Sequence, residues 1–388
     1  MVPLRSMKPL SLYIHVPFCT RRCSYCSFYH VPAAEERQRA FVDVLVDEIG
    51  AGLAAIGEPV ALRTIFVGGG TPTVLEPSHW RRLVRAVEAH VAPGGAPEFT
   101  VEMNPEDVTE ELAAFLRTLG VNRASLGVQS MHAVGQKVLK RCAPEVNARA
   151  IEIVRRAFDN VSFDVLLGVP RTTVADLRAT VQTLLALDPA HLSVYGLEAG
   201  GDMSHEVERF FRAVDPDRVA DEYLWVCESL QARGYGHYEV SNFARPGFES
   251  AHNRAYWDGG DYLGVGPAAH SSIGGRRFWN APSLDAYLER RPDGHVAARQ
   301  HDVEGDRRVE RAMLLLRTDR GLPRSECACS DTVLDSFVAE ELVVASQGRV
   351  FATDRGYLLL NDLVLRLTTA PARLHDGYAT SQPSIPTC

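Results

Sequence analysis

The feature that most limits what this chain can fold into is a repeat. Through its first half, apolar, β-branched runs alternate with amphipathic stretches. Candidate strands fall at residues 11–16, 63–68, 98–103, 122–128, 162–168 and 191–197, and helical patterns lie between them at 35–56, 77–91 and 173–187. A strand followed by a helix can pair with the next strand only in parallel, because the crossover returns the chain to the end it started from. Six such units predict an α/β chain built as an incomplete (β/α)6 barrel, with a doubly wound sheet as the alternative because strand order is not written in the sequence. The 388 residues are 46% hydrophobic, enough for a large core. A net charge of −8 leaves no basic footprint, so nucleic acid is not an expected partner. Neither a signal peptide nor a run of about 18 apolar residues is visible, and the expectation is a cytoplasmic protein with no transmembrane segment.

Past residue 200 the alternation fades. A helix over 217–234 precedes an extended segment with a Pro-Gly turn, a Gly-rich stretch at 257–275 and a linker at 290–306. Residues 340–367 read as strand, Gln-Gly turn, strand and helix, like the wing of a winged-helix module. The expected organisation is a barrel core at 1–200, a barrel-covering extension at 201–300, a smaller α+β, partly winged-helix-like region at 301–370 and a flexible tail at 371–388.

Three of the eight cysteines, Cys19, Cys23 and Cys26, fall within "CTRRCSYC" on the segment leaving the first strand. The others are scattered, and a chain of this length does not need disulfides to fold, so the cluster reads as metal or redox chemistry. Structural zinc takes four ligands, and the local candidate for a fourth is His30. A cubane [4Fe–4S] cluster held by three thiolates keeps one iron open. That is the arrangement of the radical S-adenosylmethionine (SAM) enzymes, in which the amino and carboxylate groups of SAM bind the open iron and an electron from the cluster cleaves SAM to a 5′-deoxyadenosyl radical.

Other strand ends carry matching groups. "VGGGTPT" at 67–73 lets backbone amides approach a ligand and offers the Thr71 hydroxyl, although a tight βα turn would look the same. "VEMNP" sets Glu102 at the end of the third strand, where it suits a ribose or an ammonium group unless it is merely solvated. Gln129 ends the fourth strand, Arg141 follows on the next helical segment, and Asp164 sits in the fifth strand.

The stretches "YIHVPFCTRRCSYCSF", "FVGGGTPT", "GVNRASLGVQS", "FDVLLGVP" and "GYGHYEVSNFARPGFESAHNRAYWDGGDYLGVGPAAHS" resemble the oxygen-independent coproporphyrinogen III oxidase-like family of radical SAM proteins, and within it the haem chaperone branch, HemW. The resemblance runs over roughly residues 10 to 367. It implies a [4Fe–4S] cluster on Cys19, Cys23 and Cys26, with Tyr13, Tyr25, Gly70, Thr71, Glu102, Gln129, Arg141 and Asp164 as SAM contacts and Gly69 adjacent. Haem is the implied cargo and haem-accepting proteins the implied partners. The coproporphyrinogen dehydrogenases carry a fourth cysteine two residues after the third. Here that position is Phe28, which argues against dehydrogenase activity.

"HNRAYW", residues 252–257, matches the H-N-x-x-Y-W motif of the branch and implies His252 as an axial haem ligand, with Tyr256 and Trp257 against the porphyrin. Flanked by a Pro-Gly turn and a Gly-rich stretch, the motif is expected on an exposed loop beside the barrel's C-terminal opening. The competing reading is structural, with His252 capping a turn and the aromatics packing on the barrel. "GGDMSHEVERF" at 200–210 departs from the branch, where a Gly-Thr step is usual. This leaves a second function open, a class C type radical SAM methyltransferase acting on a small-molecule or natural-product substrate. "GVGPAA" is a weak dinucleotide-loop match with no βαβ unit after it, and Cys327 and Cys329 read as free thiols.

Anaerobic reconstitution with iron and sulfide is expected to load about four irons per chain. Cys19→Ala, Cys23→Ala and Cys26→Ala should each reduce iron to background, while Cys327→Ala and Cys329→Ala should leave it unchanged. Stoichiometric zinc with no iron uptake would overturn this reading.

Overall fold

A computed structural model describes residues 7–57, 60–91, 95–196, 205–289, 299–301 and 307–369. Strands β1 (Lys8–Val16), β2 (Val60–Gly69), β3 (Glu98–Met103), β4 (Arg123–Gln129), β5 (Asn160–Leu167) and β6 (His191–Gly196) follow one another across the sheet in chain order, all parallel. A doubly wound sheet needs a reversal of that order, so the sequential arrangement selects the (β/α)6 barrel. The connections carry α1 (Glu35–Ala54), α2 (Pro77–Glu88), α3 (Glu110–Thr118), α4 (Ala133–Leu139), α5 (Pro144–Ala157) and α6 (Val174–Leu185).

Beyond the six units the chain adds α7 (His205–Arg212), α8 (Pro216–Gln231), β7 (Gly236–Glu239), β8 (Asn242–Ala244), α9 (Ala251–Trp257), β9 (Tyr262–Val265), β10 (His270–Ile273), β11 (Arg276–Asn280), α10 (Leu284–Leu288) and β12 (Arg299–His301). The full order is β12-β11-β10-β9-β1-β2-β3-β4-β5-β6-β8-β7, an open sheet with antiparallel additions at both edges. Strand β9, within the Gly-rich stretch to which the sequence assigns no element, pairs parallel with β1 and extends the barrel wall. Most of the expected 290–306 linker, the first part of the divergent segment at 200–210 and the 371–388 tail lie outside the described residues.

Period-2 alternation explains how this sheet closes on a site. Leu10, Leu12, Ile14 and Val16 of β1, Phe99, Val101 and Met103 of β3, and Val161, Phe163, Val165 and Leu167 of β5 are buried in one apolar core with the helices. The intervening positions are polar: Ser11, Tyr13 and His15; Thr100 and Glu102; Ser162 and Asp164. One face of the barrel wall therefore packs on helices, and the other presents hydrogen-bonding groups to the interior.

The C-terminal region comprises α11 (Arg307–Leu316), β13 (Leu322–Pro323), α12 (Asp331–Ala339), β14 (Val343–Ser346), β15 (Arg349–Ala352), α13 (Asp354–Tyr357) and α14 (Leu360–Thr368). Gln347 (φ 50°) and Gly348 (φ 72°) form the two-residue turn of the β14–β15 hairpin, where positive φ at both positions matches the strand twist. This region joins the barrel extension where Cys227 of α8, His237 of β7 and Asp354 of α13 bring their polar atoms within 4.8 Å of one another. His237 Nδ1 lies 2.8 Å from Asp354 Oδ1, and Gln231 Nε2 donates to the same carboxylate. Burial opposes ionisation of Asp354, yet the hydrogen bond and charge of His237 hold its carboxyl below the usual range.

Asp354→Ala is expected to cost about 2 kcal/mol, the worth of a hydrogen bond to a charged group, read as a fall in thermal midpoint. A lowered folded pKa gives stability that is complete above the ordinary Asp value of about 3.9 and disappears as pH falls through the folded value. The gap between wild type and Asp354→Asn should therefore close on acidification, and a gap independent of pH would contradict the pairing.

Candidate functional site

The cysteine loop leaves β1 at Pro17 and is tied shut at its base. Val31 N donates to Pro17 O (2.7 Å) and Ala33 N to Cys19 O (3.1 Å). Its middle is anchored to α4, where Ser24 Oγ donates to Val138 O (2.8 Å). Cys19, Cys23 and Cys26 are free thiols, each half-buried. Burial raises the Cys19 thiol, and it pushes Cys26 up to about 11, with the neighbouring Cys23 and Cys19 adding to the effect. Thiols held neutral this way become thiolates when a cationic group joins them, which fits a metal cluster. His30 turns its Nδ1 onto its own loop, at the Phe28 carbonyl (2.8 Å).

The turn after β2 packs directly under this loop. Gly69 has φ 105°, which glycine adopts freely, and its N–H donates to Glu102 Oε2 at 3.0 Å. A Cβ on Gly70 would lie 2.7 Å from the Phe18 carbonyl oxygen, so only glycine allows the turn this close. Gly70 N and Thr71 N donate to Val16 O (2.8 Å) and Phe18 O (2.7 Å), extending the β1–β2 pairing into the loop. Thr71 Oγ1 donates to Cys19 Sγ at 3.4 Å.

Below lies a pair of inward carboxylates. Burial, then the charge of Asp164, pushes Glu102 up to about 8. Burial also raises Asp164, to about 6, against hydrogen bonds from Ser193 and from Ser125 Oγ, the latter 3.1 Å from Asp164 Oδ1. Tyr13 is oriented from β1: His15 Nε2 faces the Tyr29 carbonyl (3.0 Å), so it carries the proton, and Nδ1 accepts from Tyr13 OH (3.1 Å). Burial holds His15 near 4 and hence neutral. Tyr25 packs with Leu139, Leu166 and Val169 beside the loop.

Arg141 was expected on a helix and instead lies in the link between α4 and α5. Its Nη2 donates to Gly127 O (2.7 Å), and its Nη1 donates to Asn104 Oδ1 (2.7 Å) and reaches Cys23 Sγ (3.6 Å). Gln129 ends β4 at φ 65°, and its buried Oε1 has no hydrogen-bond partner among the described residues. An orphaned buried acceptor on a side chain whose amide nitrogen lies near the Arg141 guanidinium, around Gly127, suits a polar ligand. The structure thus gathers the strand-end residues at one opening. It also adds Asn104, which the sequence reading passed over although it stands two residues after Glu102 in the same strand-end motif.

His252 lies deeper in the barrel, its ring centroid 6.4 Å from that of Tyr13. Instead of an exposed loop, its segment is helix α9, capped by Ser250 Oγ accepting from Asn253 N (3.3 Å) and by Glu98 accepting from Ala251 N and His252 N (both 3.0 Å). Glu98 begins β3 and Thr64 lies in the first half of β2, which puts α9 toward the N-terminal end of the barrel. His252 is 1% exposed, with Nδ1 2.7 Å from Thr64 Oγ1 and Nε2 2.9 Å from Tyr256 OH. Burial, then the charge of Arg123, lowers it to about 3. With both ring nitrogens engaged inside the protein, His252 pins α9 to the barrel, and the exposed-loop expectation is corrected to a buried helix.

Similarity to known proteins agrees with this geometry. The sequence pattern of the radical SAM superfamily matches residues 13–184. The chain is 32% identical to haem chaperone HemW of Lactococcus lactis subsp. lactis over 375 residues, covering 92% of this chain and 96% of that protein. It is 31% identical to haem chaperone HemW of Escherichia coli over 380 residues, covering 92% and 98% respectively. Among solved structures, coproporphyrinogen III oxidase (HemN) from Escherichia coli, a radical SAM enzyme, is similar with a TM-score of 0.77 at 23% identity, over 94% of this chain and 92% of that one. At that identity the likeness speaks to the fold.

Glu102 supplies a pH test. With its carboxyl raised to about 8, the neutral acid dominates at neutral pH and the anion forms above it. If SAM is held by the anion, its affinity for the reconstituted protein should rise between about pH 7 and about pH 9. Glu102→Gln, unable to ionise, should show weaker binding with a flat profile. A wild-type affinity that does not change across this window would remove Glu102 from the binding role.

Proposed function

Because the chain belongs to the HemW family of the radical SAM superfamily, we propose that it binds haem and delivers it to haem-dependent proteins, using a site that also holds a [4Fe–4S] cluster and SAM. The observation that carries this reading is identity of about a third to haem chaperones over nearly their whole length. In the proposal Cys19, Cys23 and Cys26 hold the cluster, and Tyr13, Tyr25, Gly69, Gly70, Thr71, Glu102, Gln129, Arg141 and Asp164 receive SAM. When bound, the cluster supplies an electron to the sulfonium of SAM.

The chain's own groups suit these tasks. The fixed Arg141 guanidinium is a partner for a carboxylate, and the Gly69 amide holds Glu102 in place for a hydroxyl or ammonium group. Phe28, 59% exposed, stands where a dehydrogenase of this family carries a fourth cysteine, which supports a protein without that activity. The methyltransferase reading gains no support from these features. Residues 1–200 would carry the SAM chemistry, 201–300 would cover the barrel and 301–370 would form a winged-helix-like module. Among the described residues no helix is long and apolar enough to cross a membrane.

Haem titration of the reconstituted protein, followed in the Soret band, tests the proposal. A saturable shift is expected, and its absence at haem well above micromolar concentration would overturn the haem role. His252→Ala should lower the thermal midpoint by removing a buried hydrogen-bonded side chain, yet leave the Soret shift in place. Loss of the shift with an unchanged midpoint would restore His252 as ligand.

A further inference from the structure

We propose that Asn104 is a positioning residue that sets the hydrogen bonds donated to two of the cluster thiolates. The inference rests on the reading of Cys19, Cys23 and Cys26 as cluster ligands and concerns a residue that this reading leaves without a role.

Asn104 follows β3 and precedes the short 3-10 turn Pro105–Asp107. Its two amide atoms face different partners. Nδ2 donates to Thr71 Oγ1 at 2.7 Å, and Oδ1 accepts from Arg141 Nη1 at 2.7 Å. Thr71, already accepting from Asn104, directs its own proton to Cys19 Sγ, 3.4 Å away. Arg141, fixed by Asn104 and by the Gly127 carbonyl, reaches Cys23 Sγ at 3.6 Å, with the Glu106 carboxylate 3.8 Å behind it. Thr71 lies beyond β2 and Arg141 beyond α4, so neither element by itself fixes the other. The Asn104 amide joins them into one chain, Cys19–Thr71–Asn104–Arg141–Cys23.

The residue type is constrained by this geometry. An amide of this length donates at one atom and accepts at the other. A carboxylate of the same shape cannot donate to Thr71, and an apolar side chain can do neither. Donors aimed at cluster sulfur stabilise the reduced, more negative state and so raise the reduction potential. Asn104 therefore acts through Thr71 and Arg141 on how readily the cluster is reduced, and through Arg141 on the presentation of a guanidinium to SAM.

The test compares wild type, Asn104→Ala and Asn104→Asp after anaerobic reconstitution. Iron content, reduction midpoint by electron paramagnetic resonance titration, and SAM affinity from perturbation of the same signal are measured. Asn104→Ala is expected to keep its iron, to shift the midpoint to more negative potential and to bind SAM on the order of tenfold more weakly. Asn104→Asp keeps the acceptor for Arg141 but loses the donor to Thr71. It should therefore shift the midpoint in the same direction while retaining SAM affinity nearer to wild type. In a Thr71→Val background, Asn104→Ala should shift the midpoint less than in wild type, since one of its two routes is gone. Unchanged midpoint and SAM affinity in iron-loaded Asn104→Ala and Asn104→Asp overturn the proposal alone, as does an equal shift in the Thr71→Val background. If Asn104→Ala fails to hold iron, the isosteric Asn104→Asp carries the comparison. Failure of the wild type to take up cysteine-dependent iron removes the cluster reading and this proposal with it.

Discussion

A parallel sheet that buries one face on helices and keeps polar side chains on the other must satisfy those polar groups from within, and the interior of this barrel is arranged around that constraint. Ser11, Thr64, Thr100, Arg123, Ser162, His191 and Ser193 are all buried on the strands. Left unpaired, each hydroxyl or imidazole would cost about 1–3 kcal/mol. Four of them pair instead: Thr64 Oγ1 with His252 Nδ1 (2.7 Å), Ser162 Oγ with His191 Nδ1 (2.8 Å) and Ser193 Oγ (3.1 Å), and His191 Nε2 with Tyr238 OH (2.8 Å), whereas Thr100 Oγ1 and Arg123 Nε have no hydrogen-bond partner among the described residues. The buried charge of Arg123 opposes that of Glu102 and Asp164, and, after burial itself, it keeps His191 and His252 neutral.

This interior has two ends with different fates. Toward the N-terminal ends of the strands, α9 seals it. Glu98 receives the free N–H groups of the helix, and His252 and Tyr256 complete a bonded run with Thr64. Toward the C-terminal ends lie the glycine turn and the cysteine loop, with the orphaned Gln129 acceptor and the buried carboxylates Glu102 and Asp164 at the strand ends. The same alternation that supplies polar groups for a seal at one end supplies a receiving surface at the other. That division explains why the "HNRAYW" segment and the cysteine loop, both polar and aromatic in sequence, serve opposite purposes.

Much of this was legible in the residues. The six expected strands and the helices at 35–56, 77–91 and 173–187 correspond to observed elements within a few residues, because period-2 and helical apolar spacing reports which face is buried. Strand β9 has no local signal in its Gly-rich segment, and parallel pairing with β1 orders it. Helix α9 was misread. Its Ser250 cap and the Gly259–Gly260 stop were present in the sequence but were outweighed by the neighbouring Pro-Gly turn. Arg141 was found as a residue but placed on the wrong element, and Asn104 was passed over because its two partners lie 33 and 37 residues away.

By itself, then, the sequence determined the kind of elements, the polar character of the inward face and the number of thiolates offered on one loop, all properties of spacing along a single stretch of chain. The tertiary structure decided the sequential strand order, the burial of His252 on Thr64 and Tyr256, and the meeting of Asn104 with Thr71 and Arg141. These depend on the register between strands and on helix placement, where one residue of slip turns an inward group outward, and no local pattern encodes that alignment.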